Sequence, residues 1–155
     1  MTHNEKKKSA RGRALAFLVR RDRTEYQVRL LLTKEGYAPA EIEDAVAFLE
    51  SLGYVDDAVY AERYLRELIE KGRGRRRIVD EMRRRGLHVD LIAEVLRTSF
   101  SAELELENAI KLARKVVGAL PEDAEKTIRA RKIFLKLTGQ GYNFDVINMA
   151  MNRVT

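Results

Sequence analysis

The sequence predicts an all-α protein made of three tandem three-helix repeats. Its 155 residues are 35% charged and only 7% aromatic. This balance suits helices that each bury one narrow apolar stripe, because Lys, Arg, Glu and Leu are good helix formers. Apolar residues recur at helical spacing, and a set of glycines recurs with a period of about fifty residues, which is typical of tandem helical repeats.

The glycine register defines the repeat. Each marker glycine is followed by a hydrophobic residue, and the positions eight and four residues before it are also apolar. Those two positions lie on one helical face, and glycine supplies the left-handed conformation that ends the helix. An isoleucine stands six positions after each glycine, so a second helix follows, and we expect these isoleucines to be buried at equivalent places. The glycines are Gly36, Gly86 and Gly141, and the isoleucines are Ile42, Ile92 and Ile147.

The first repeat is predicted over residues 13–55, after a flexible basic tail of residues 1–12. Its first helix contains ALAFLVRRD and ends near Asp22. The second begins after Thr24-Glu25-Tyr26-Gln27, which has the Thr-x-x-Gln spacing of a capping box. The third begins at Pro39, since a missing N–H costs nothing in the first turn of a helix. The basic residues assigned to this tail and its margin are Lys6, Lys7, Lys8, Arg11 and Arg13.

The second repeat is predicted over residues 56–100. Its first helix, DDAVYAERYLRELIEKG, opens with Asp56 and Asp57, which is typical of an N-cap followed by an acid that the helix dipole favours. Its second helix lies in GRGRRRIVDEMRRRG, from Gly72 to Gly86. The only apolar residues of that stretch are Ile78, Val79 and Met82.

The third repeat is predicted over residues 101–155. Its first helix, ELELENAIKLARKVVGAL, is stopped by Gly118 and Pro121. Its second helix carries another set of basic residues. Because acidic residues lie nearby, this set is interpreted equally well as a solvated surface or as a binding surface. We expect the repeats to pack together in an elongated, curved array of either hand, because one such unit buries too little apolar surface alone. The basic set is Lys126, Arg129, Arg131, Lys132 and Lys136.

The arginine-rich helix of the second repeat indicates an anionic partner. A helical wheel places Arg76, Arg77, Arg83 and Arg84 opposite the apolar face, around Asp80. Like charges at i,i+4 spacing repel, so such a face is costly unless something negative neutralises it. Arginine binds phosphate or carboxylate through a bidentate fork, and the net charge of +6 points the same way. A solvated helix face is the alternative.

Several function classes are excluded or disfavoured. The absence of cysteine excludes disulfides and Cys-based zinc sites, and His3 and His88 are too few for a histidine metal site. No apolar run approaches the roughly 18 residues of a transmembrane helix, and MTHNEKKKSARGR lacks the apolar region of a signal peptide. No nucleophile–base pair or nucleotide-binding loop is recognisable. We therefore expect no enzyme activity, no cofactor, no membrane association and a cytoplasmic location.

Two central segments carry a family resemblance. GYVDDAVYAERY (53–64) and KGRGRRRIVDEMRRRGL (71–87) resemble the core signature of the RecX family, bacterial regulators of the RecA recombinase. RDRTEYQVRLLLTKEGY (21–37) is similar to the family's first-repeat helix pair and FLKLTGQGYNFDVI to its last. The chain departs from the family at Arg75, where a proline is common. It also departs at Thr138, Gly139 and Gln140, which replace charged residues.

The resemblance implies a small all-helical protein, a monomer, that modulates RecA without catalysis. Such proteins bind in the groove of the RecA filament on single-stranded DNA. They limit its extension, ATPase, strand exchange and co-protease activity, in homologous recombination, DNA repair and the SOS response. Single-stranded DNA, and more weakly double-stranded DNA, are implied partners. The candidate contact residues are Arg73, Arg75, Arg76, Arg77, Arg83, Arg84, Arg85, Arg129, Arg131 and Lys132.

An autonomous nucleic-acid-binding module of helix-turn-helix type, acting without RecA, is the alternative function. Its recognition helix would need Asn, Gln or Ser beside Arg at base-reading positions. The arginine-rich helix offers arginine almost alone, which holds phosphates but discriminates little between sequences. We therefore favour the regulator.

Overall fold

The computed structural model describes residues 7–155, which form nine α-helices and no strand. The all-α prediction is confirmed. Lys6 and the residues before it lie outside the described range. The helices are α1 (Ala10–Arg20), α2 (Glu25–Lys34), α3 (Pro39–Ser51), α4 (Asp57–Glu70), α5 (Arg75–Arg84), α6 (Val89–Ser99), α7 (Ala102–Gly118), α8 (Lys126–Gln140) and α9 (Phe144–Val154).

Residues 9–12, which lie in the predicted basic tail, form the capped start of a helix. Helix α1 begins at Ala10, so a flexible tail of residues 1–12 is wrong at its C-terminal end. Ser9 caps the helix by accepting a hydrogen bond from the Gly12 N–H at 3.1 Å, and such a cap satisfies an otherwise unpaired donor. Arg11 makes a bidentate ion pair with Asp44, both contacts at 2.8 Å. These contacts hold residues that composition alone assigned to a tail.

One compact unit comprises residues 7–60 and 85–87. Helices α1, α2 and α3 enclose its core, and Val28, Leu32 and Leu49 are inaccessible to solvent. The capping box predicted at Thr24 is present, with the Gln27 side chain accepting from the Thr24 N–H. Pro39 occupies the first turn of α3, as expected.

The second compact unit comprises residues 61–84 and 88–155. Helices α7, α8 and α9 share one core, in which Ile133 and Leu137 are fully buried. Ile78 and Met82 of α5 are also fully buried. Ile92 and Leu96 of α6 are almost fully buried. The boundaries of the three predicted repeats stay a prediction.

The glycine register is confirmed by burial and backbone geometry. Ile42, Ile92 and Ile147 are 7%, 2% and 2% exposed. The three marker glycines have φ angles of +82°, +79° and +92°, which L residues other than glycine rarely adopt. The hydrophobic residue after each glycine is buried, so Tyr37 and Tyr142 pack inside the turns. Their hydroxyls donate to Lys8 O and Gly72 O.

The carbonyl before each marker glycine accepts a hydrogen bond from a distant segment. Gly74 N donates to Gln140 O at 2.7 Å, and Arg76 N donates to Gly141 O at 3.1 Å. The start of α5 and the end of α8 thereby satisfy each other's unpaired backbone groups. In the other unit, the Thr24 hydroxyl donates to Arg85 O and the Lys7 ammonium to Glu35 O.

Candidate functional site

The candidate site is built on α5, the arginine-rich helix. Ile78 and Met82 anchor one face in the core, and the remaining side chains of the helix are charged or lie at the margin of that face. Asp56 caps the preceding helix α4 by accepting from Val59 N at 3.2 Å, as predicted. Asp57 instead accepts from Glu25 N at 3.0 Å, and its partial burial raises its pKa.

Four of the seven arginines predicted in this stretch are engaged within the chain. Arg73 donates to the Gln140 side-chain oxygen at 2.6 Å, and Arg85 donates to the Tyr60 hydroxyl. Their guanidinium groups therefore serve the fold as well as the surface charge. The engaged residues are Arg73, Arg75, Arg77 and Arg85.

Arg75 has a structural role that the helical pattern does not reveal. Its Nε lies 3.2 Å from Oε2 of Glu105, whose side chain is only 5% exposed. Its Nη2 donates to Phe100 O at 2.7 Å, and its backbone N–H donates to Glu105 Oε1 at 3.3 Å. A proline at this position would lack that N–H. The start of α5 is thus held by the Glu105 side chain and by the Gln140 carbonyl, which accepts from Gly74 N.

Arg77 was predicted to project outward, but its side chain has partners within the chain. Its Nε lies 3.4 Å from Glu81 Oε1, and its Nη1 donates to Gly139 O at 3.3 Å. Its side chain is 36% exposed and lies against the end of α8. Arg77 therefore helps to hold the turn that carries Gly141.

Arg76, Arg83 and Arg84 are exposed, and within residues 7–155 they have no ion pair or hydrogen-bond partner for their side chains. Arg76 and Arg84 line an open groove of about 440 Å³, which we call the arginine groove. Its acids are Glu81, which is paired with Arg77, and the exposed Asp80. The remaining lining consists of Arg77, Thr138, Gly139 and Gly141.

The arginine groove suits a phosphate or carboxylate group. Its two free guanidinium groups can each form a bidentate pair with such an oxyanion. The turn opposite them offers no competing negative side chain, because Thr138, Gly139 and Gln140 are uncharged. The groove therefore supplies positive charge with donors and little base-specific chemistry.

The basic residues of α8 do not join this groove. Arg129 is half-buried and donates to Glu122 O at 2.6 Å, so it closes the turn before α8. Arg131 and Lys132 are exposed, and neither is part of the lining of the arginine groove. The structure thus separates the two basic sets that the sequence placed on equivalent helices.

The described residues were also searched for metal sites, membrane-spanning helices and a phosphate-binding loop. In the part of the chain that the structure describes, no cluster of three or more His, Cys, Asp or Glu residues could hold a metal ion. The same range contains no helix with the length and hydropathy needed to cross a membrane. The Gly72–Gly74 loop is not open to phosphate, since the N–H of Gly74 is bonded to Gln140 O. His88 is exposed and caps α6 by accepting from Asp90 N.

Sequence reasoning missed the partners of the engaged arginines. One signal was present: Glu105 lies one helical turn before Ala109 and so falls on the apolar stripe of α7. An acid on a buried stripe needs a cation or donors, because burying an unpaired charge is costly. No comparable signal marks Gln140 or Gly139, which accept through contacts formed only by folding.

Comparisons with known proteins agree with this architecture. A family model described as the first three-helix domain of RecX matches residues 10–49, and one for its second three-helix domain matches residues 56–96. The chain is 31% identical over 146 residues to "Regulatory protein RecX" of Vibrio vulnificus (strain CMCP6), covering 93% of this chain and 92% of the relative.

Other relatives are longer. The chain is 30% identical over 145 residues to "Regulatory protein RecX" of Listeria innocua, covering 93% of this chain but 53% of the relative. For the protein of the same name from Clostridium perfringens (strain SM101 / Type A), identity is 31% and 62% of the relative is covered. The chain therefore spans between half and two thirds of the length of these two relatives.

Two solved structures share the fold. The crystal structure of RecX from Lactobacillus salivarius superposes with a TM-score of 0.82 at 22% identity, covering 94% of each chain. A crystal structure of regulatory protein RecX gives a TM-score of 0.79 at 27% identity, covering 92% of this chain and 71% of the other. At 22% identity, the likeness to the Lactobacillus salivarius protein concerns the fold alone.

Proposed function

Because the chain belongs to the RecX family of regulatory proteins, we propose that it regulates the RecA recombinase, mainly as a negative modulator. It binds in the groove of the RecA filament on single-stranded DNA. Binding limits filament extension, ATP hydrolysis, strand exchange and co-protease activity. The partnership with RecA is supported by the family, whose members carry the name of regulatory proteins.

The observation that supports this proposal at particular residues is that Arg76 and Arg84 of the arginine groove have no side-chain partner among residues 7–155. Arg76 and Arg84 are exposed on a helix that is anchored in the core by the fully buried Ile78 and Met82. A nucleoprotein filament presents phosphates and carboxylates, and both pair with guanidinium groups. Each such contact contributes about 1.5–3 kcal/mol when water is excluded from it.

The lack of base-reading side chains supports a role on the filament over recognition of a DNA sequence. Direct readout uses Asn, Gln and Arg at successive positions of one helix. The residues that line the arginine groove are three arginines, two acids, Thr138 and two glycines, with no Asn or Gln among them. Contacts of this kind fix position on a phosphate backbone and carry little sequence information.

The test is binding to RecA filaments assembled on fluorescein-labelled oligo-dT. The variant R76Q/R84Q removes both free charges of the arginine groove, and R66Q/R114Q removes two exposed charges elsewhere in the same unit. We expect the first to weaken filament binding by at least about tenfold, and the second to change it little.

Equal binding by both variants would show that the arginine groove is only a solvated face. Binding that requires DNA but not RecA, with one duplex sequence preferred strongly over others, would favour the autonomous helix-turn-helix function instead.

A further inference from the structure

A second groove lies on the other side of α5, between α5 and α6, and its walls are apolar. Val79 of α5 and Ala93 of α6 both line this groove, which has a volume of about 700 Å³ and which we call the apolar groove. The other apolar members are Val89, Ile92 and Leu96. The groove lies entirely within the second compact unit.

The apolar groove combines a packed floor with an exposed mouth. Ile92 and Leu96 are 2% and 4% exposed, so they form a fixed floor that belongs to the core. Val89 is 55% exposed, and Ala93 is also exposed. No described segment of the chain covers them. A contiguous apolar surface of this kind, rimmed by charged residues, is typical of a protein-binding site.

The rim of the apolar groove is cationic. Arg83 and Arg97 are exposed and have no ion pair or hydrogen-bond partner for their side chains among residues 7–155. Arg75 completes the rim, although its guanidinium is already bonded to Glu105 and Phe100 O. No acidic residue lines this groove, whereas the arginine groove contains two. Its occupant must therefore bring negative charge.

The chemistry of the walls favours a polypeptide over a nucleic-acid strand. Single-stranded nucleic acid is held by stacking of its bases on aromatic rings as well as by phosphate contacts. Apart from its three arginines, the side chains that line the apolar groove are aliphatic, and none of them is aromatic. Aliphatic grooves between two helices instead accept anchor side chains at i, i+3, i+4 and i+7 of a partner helix.

We propose that the apolar groove binds an acidic peptide segment of a partner protein. An aliphatic or aromatic side chain of that segment packs over Ile92 and Leu96, and its carboxylates pair with Arg83 and Arg97. The identity of the partner as a component of the RecA filament rests on the proposed function. The two sides of α5 then have separate tasks: Arg76 and Arg84 contact oxyanions in the arginine groove, and the α6 side holds protein.

The first test uses a fluorescein-labelled helical peptide with Leu at i, i+3, i+4 and i+7 and Glu at the remaining positions. Its control is the same peptide with Lys in place of Glu. We expect fluorescence anisotropy to show binding of the Glu peptide and none of the Lys peptide. Failure of the wild-type chain to bind the Glu peptide, or equal binding of both peptides, contradicts the proposal.

Two variants address the groove itself. Ala93→Glu places a carboxylate at the exposed mouth, and R83E/R97E reverses the rim. Because all three positions are exposed helix positions, folding should be retained, which circular dichroism checks. We expect each variant to weaken binding of the Glu peptide by at least about tenfold. R66E/R114E, with the same charge change outside the groove, should bind it as the wild type does. Unchanged binding by A93E and R83E/R97E overturns the proposal.

A second readout separates this proposal from the proposed function. If the wild type inhibits the RecA ATPase and A93E inhibits it equally, the proposed function stands and the apolar groove is not the protein contact. If the wild type has no effect on RecA, the proposed function fails, while loss of Glu-peptide binding in A93E still supports the groove.

Two other occupants give distinct results. Loss of binding to fluorescein-labelled oligo-dT in A93E, measured without RecA, would assign the groove to nucleic acid. A dimer in the wild type that becomes a monomer in A93E, measured by light scattering, would assign it to a second copy of the chain. Either result contradicts the proposal.

Discussion

At the scale of single residues, the arginines of α5 differ by their partners and not by their position in the sequence. Composition and a helical wheel predict a basic face, and that prediction identifies Arg76, Arg83 and Arg84 as outward-facing residues, which the structure shows to be exposed. The same reasoning fails for Arg77, and it does not reveal the role of Arg75. Their partners, Glu105 and Gly139, are distant in the chain and become neighbours only on folding.

Arg75 should therefore matter to stability more than its exposed neighbours do. Arg75→Ala removes the cation beside the buried Glu105 carboxylate and leaves only a backbone N–H as donor. We expect the free energy of unfolding to fall by about 1–3 kcal/mol, with the partial exposure of Arg75 favouring the lower part of that range. Arg76→Ala should change it by less than about 0.5 kcal/mol. Urea denaturation of both variants checks this, and equal losses would contradict the structural role of Arg75.

Tyr142 should make stability depend on alkaline pH. Burial raises the pKa of its phenol from the ordinary 10.0 to about 12. Above pH 10 the unfolded chain loses this proton before the folded chain does, so stability is full below pH 10 and falls as pH rises to about 12. The loss attributable to this group is about 2–3 kcal/mol.

The control for that prediction is Tyr142→Phe, which cannot ionise. The two proteins share every other titratable group, so the informative quantity is the difference between them. Urea denaturation at pH 9 and near pH 12 should show a larger loss in the wild type than in Y142F. The same loss in both proteins would mean that the Tyr142 phenol ionises freely in the folded state.

At the scale of helices and turns, glycine is needed at the marker positions for two physical reasons, and only one of them can be recognised in the sequence. The left-handed conformation that ends each helix follows from the glycine register alone. The close approach of another segment does not. A Cβ added at Gly86 would lie 2.2 Å from the Tyr26 Cβ, and one added at Gly141 would lie 2.4 Å from the Arg77 Cβ. At Gly36 the nearest atom is a lysine ammonium 3.9 Å away.

The three glycines accordingly give a matched set of substitutions. Gly36→Ala should cost only about 1–2 kcal/mol, the penalty for an L residue in this conformation. Gly86→Ala and Gly141→Ala should cost a further ~1–3 kcal/mol, because the added methyl group displaces a packed segment. Urea denaturation of the three variants measures the difference. Equal costs at all three positions would show that the neighbouring helices adjust freely around the turn.

The helix boundaries show a similar division. Caps with a local signal, Thr24 with Gln27 and Pro39 at a first turn, were predicted and are present. The start of α1 was missed because the basic residues there suggested a tail, although Ser9 was available as an N-cap. Its ion pair with α3, between Arg11 and Asp44, joins residues that are far apart in the chain. Local chemistry could be predicted, whereas contacts between helices could not.

At the scale of the whole molecule, a net charge of +6 makes any binding to DNA depend on salt. Each phosphate neutralised on a single strand contributes about −0.7 to the slope of log K against log salt. R76Q/R84Q should reduce the magnitude of that slope by about 0.7 for each arginine that contacts a phosphate. Fluorescence anisotropy of labelled oligo-dT over a range of KCl concentrations measures it. An unchanged slope would place the phosphate contacts elsewhere, with Arg131 and Lys132 of α8 as the next residues to test.

The regulation of RecA is the central claim, and one measurement tests it most directly. RecA hydrolyses ATP on single-stranded DNA, and the rate is followed while the wild-type chain is added. We predict that the rate falls as the chain is added, and that R76Q/R84Q, folded as judged by its melting temperature, needs at least about tenfold more protein for the same effect. A RecA ATPase rate that stays constant at saturating wild-type protein would contradict the account.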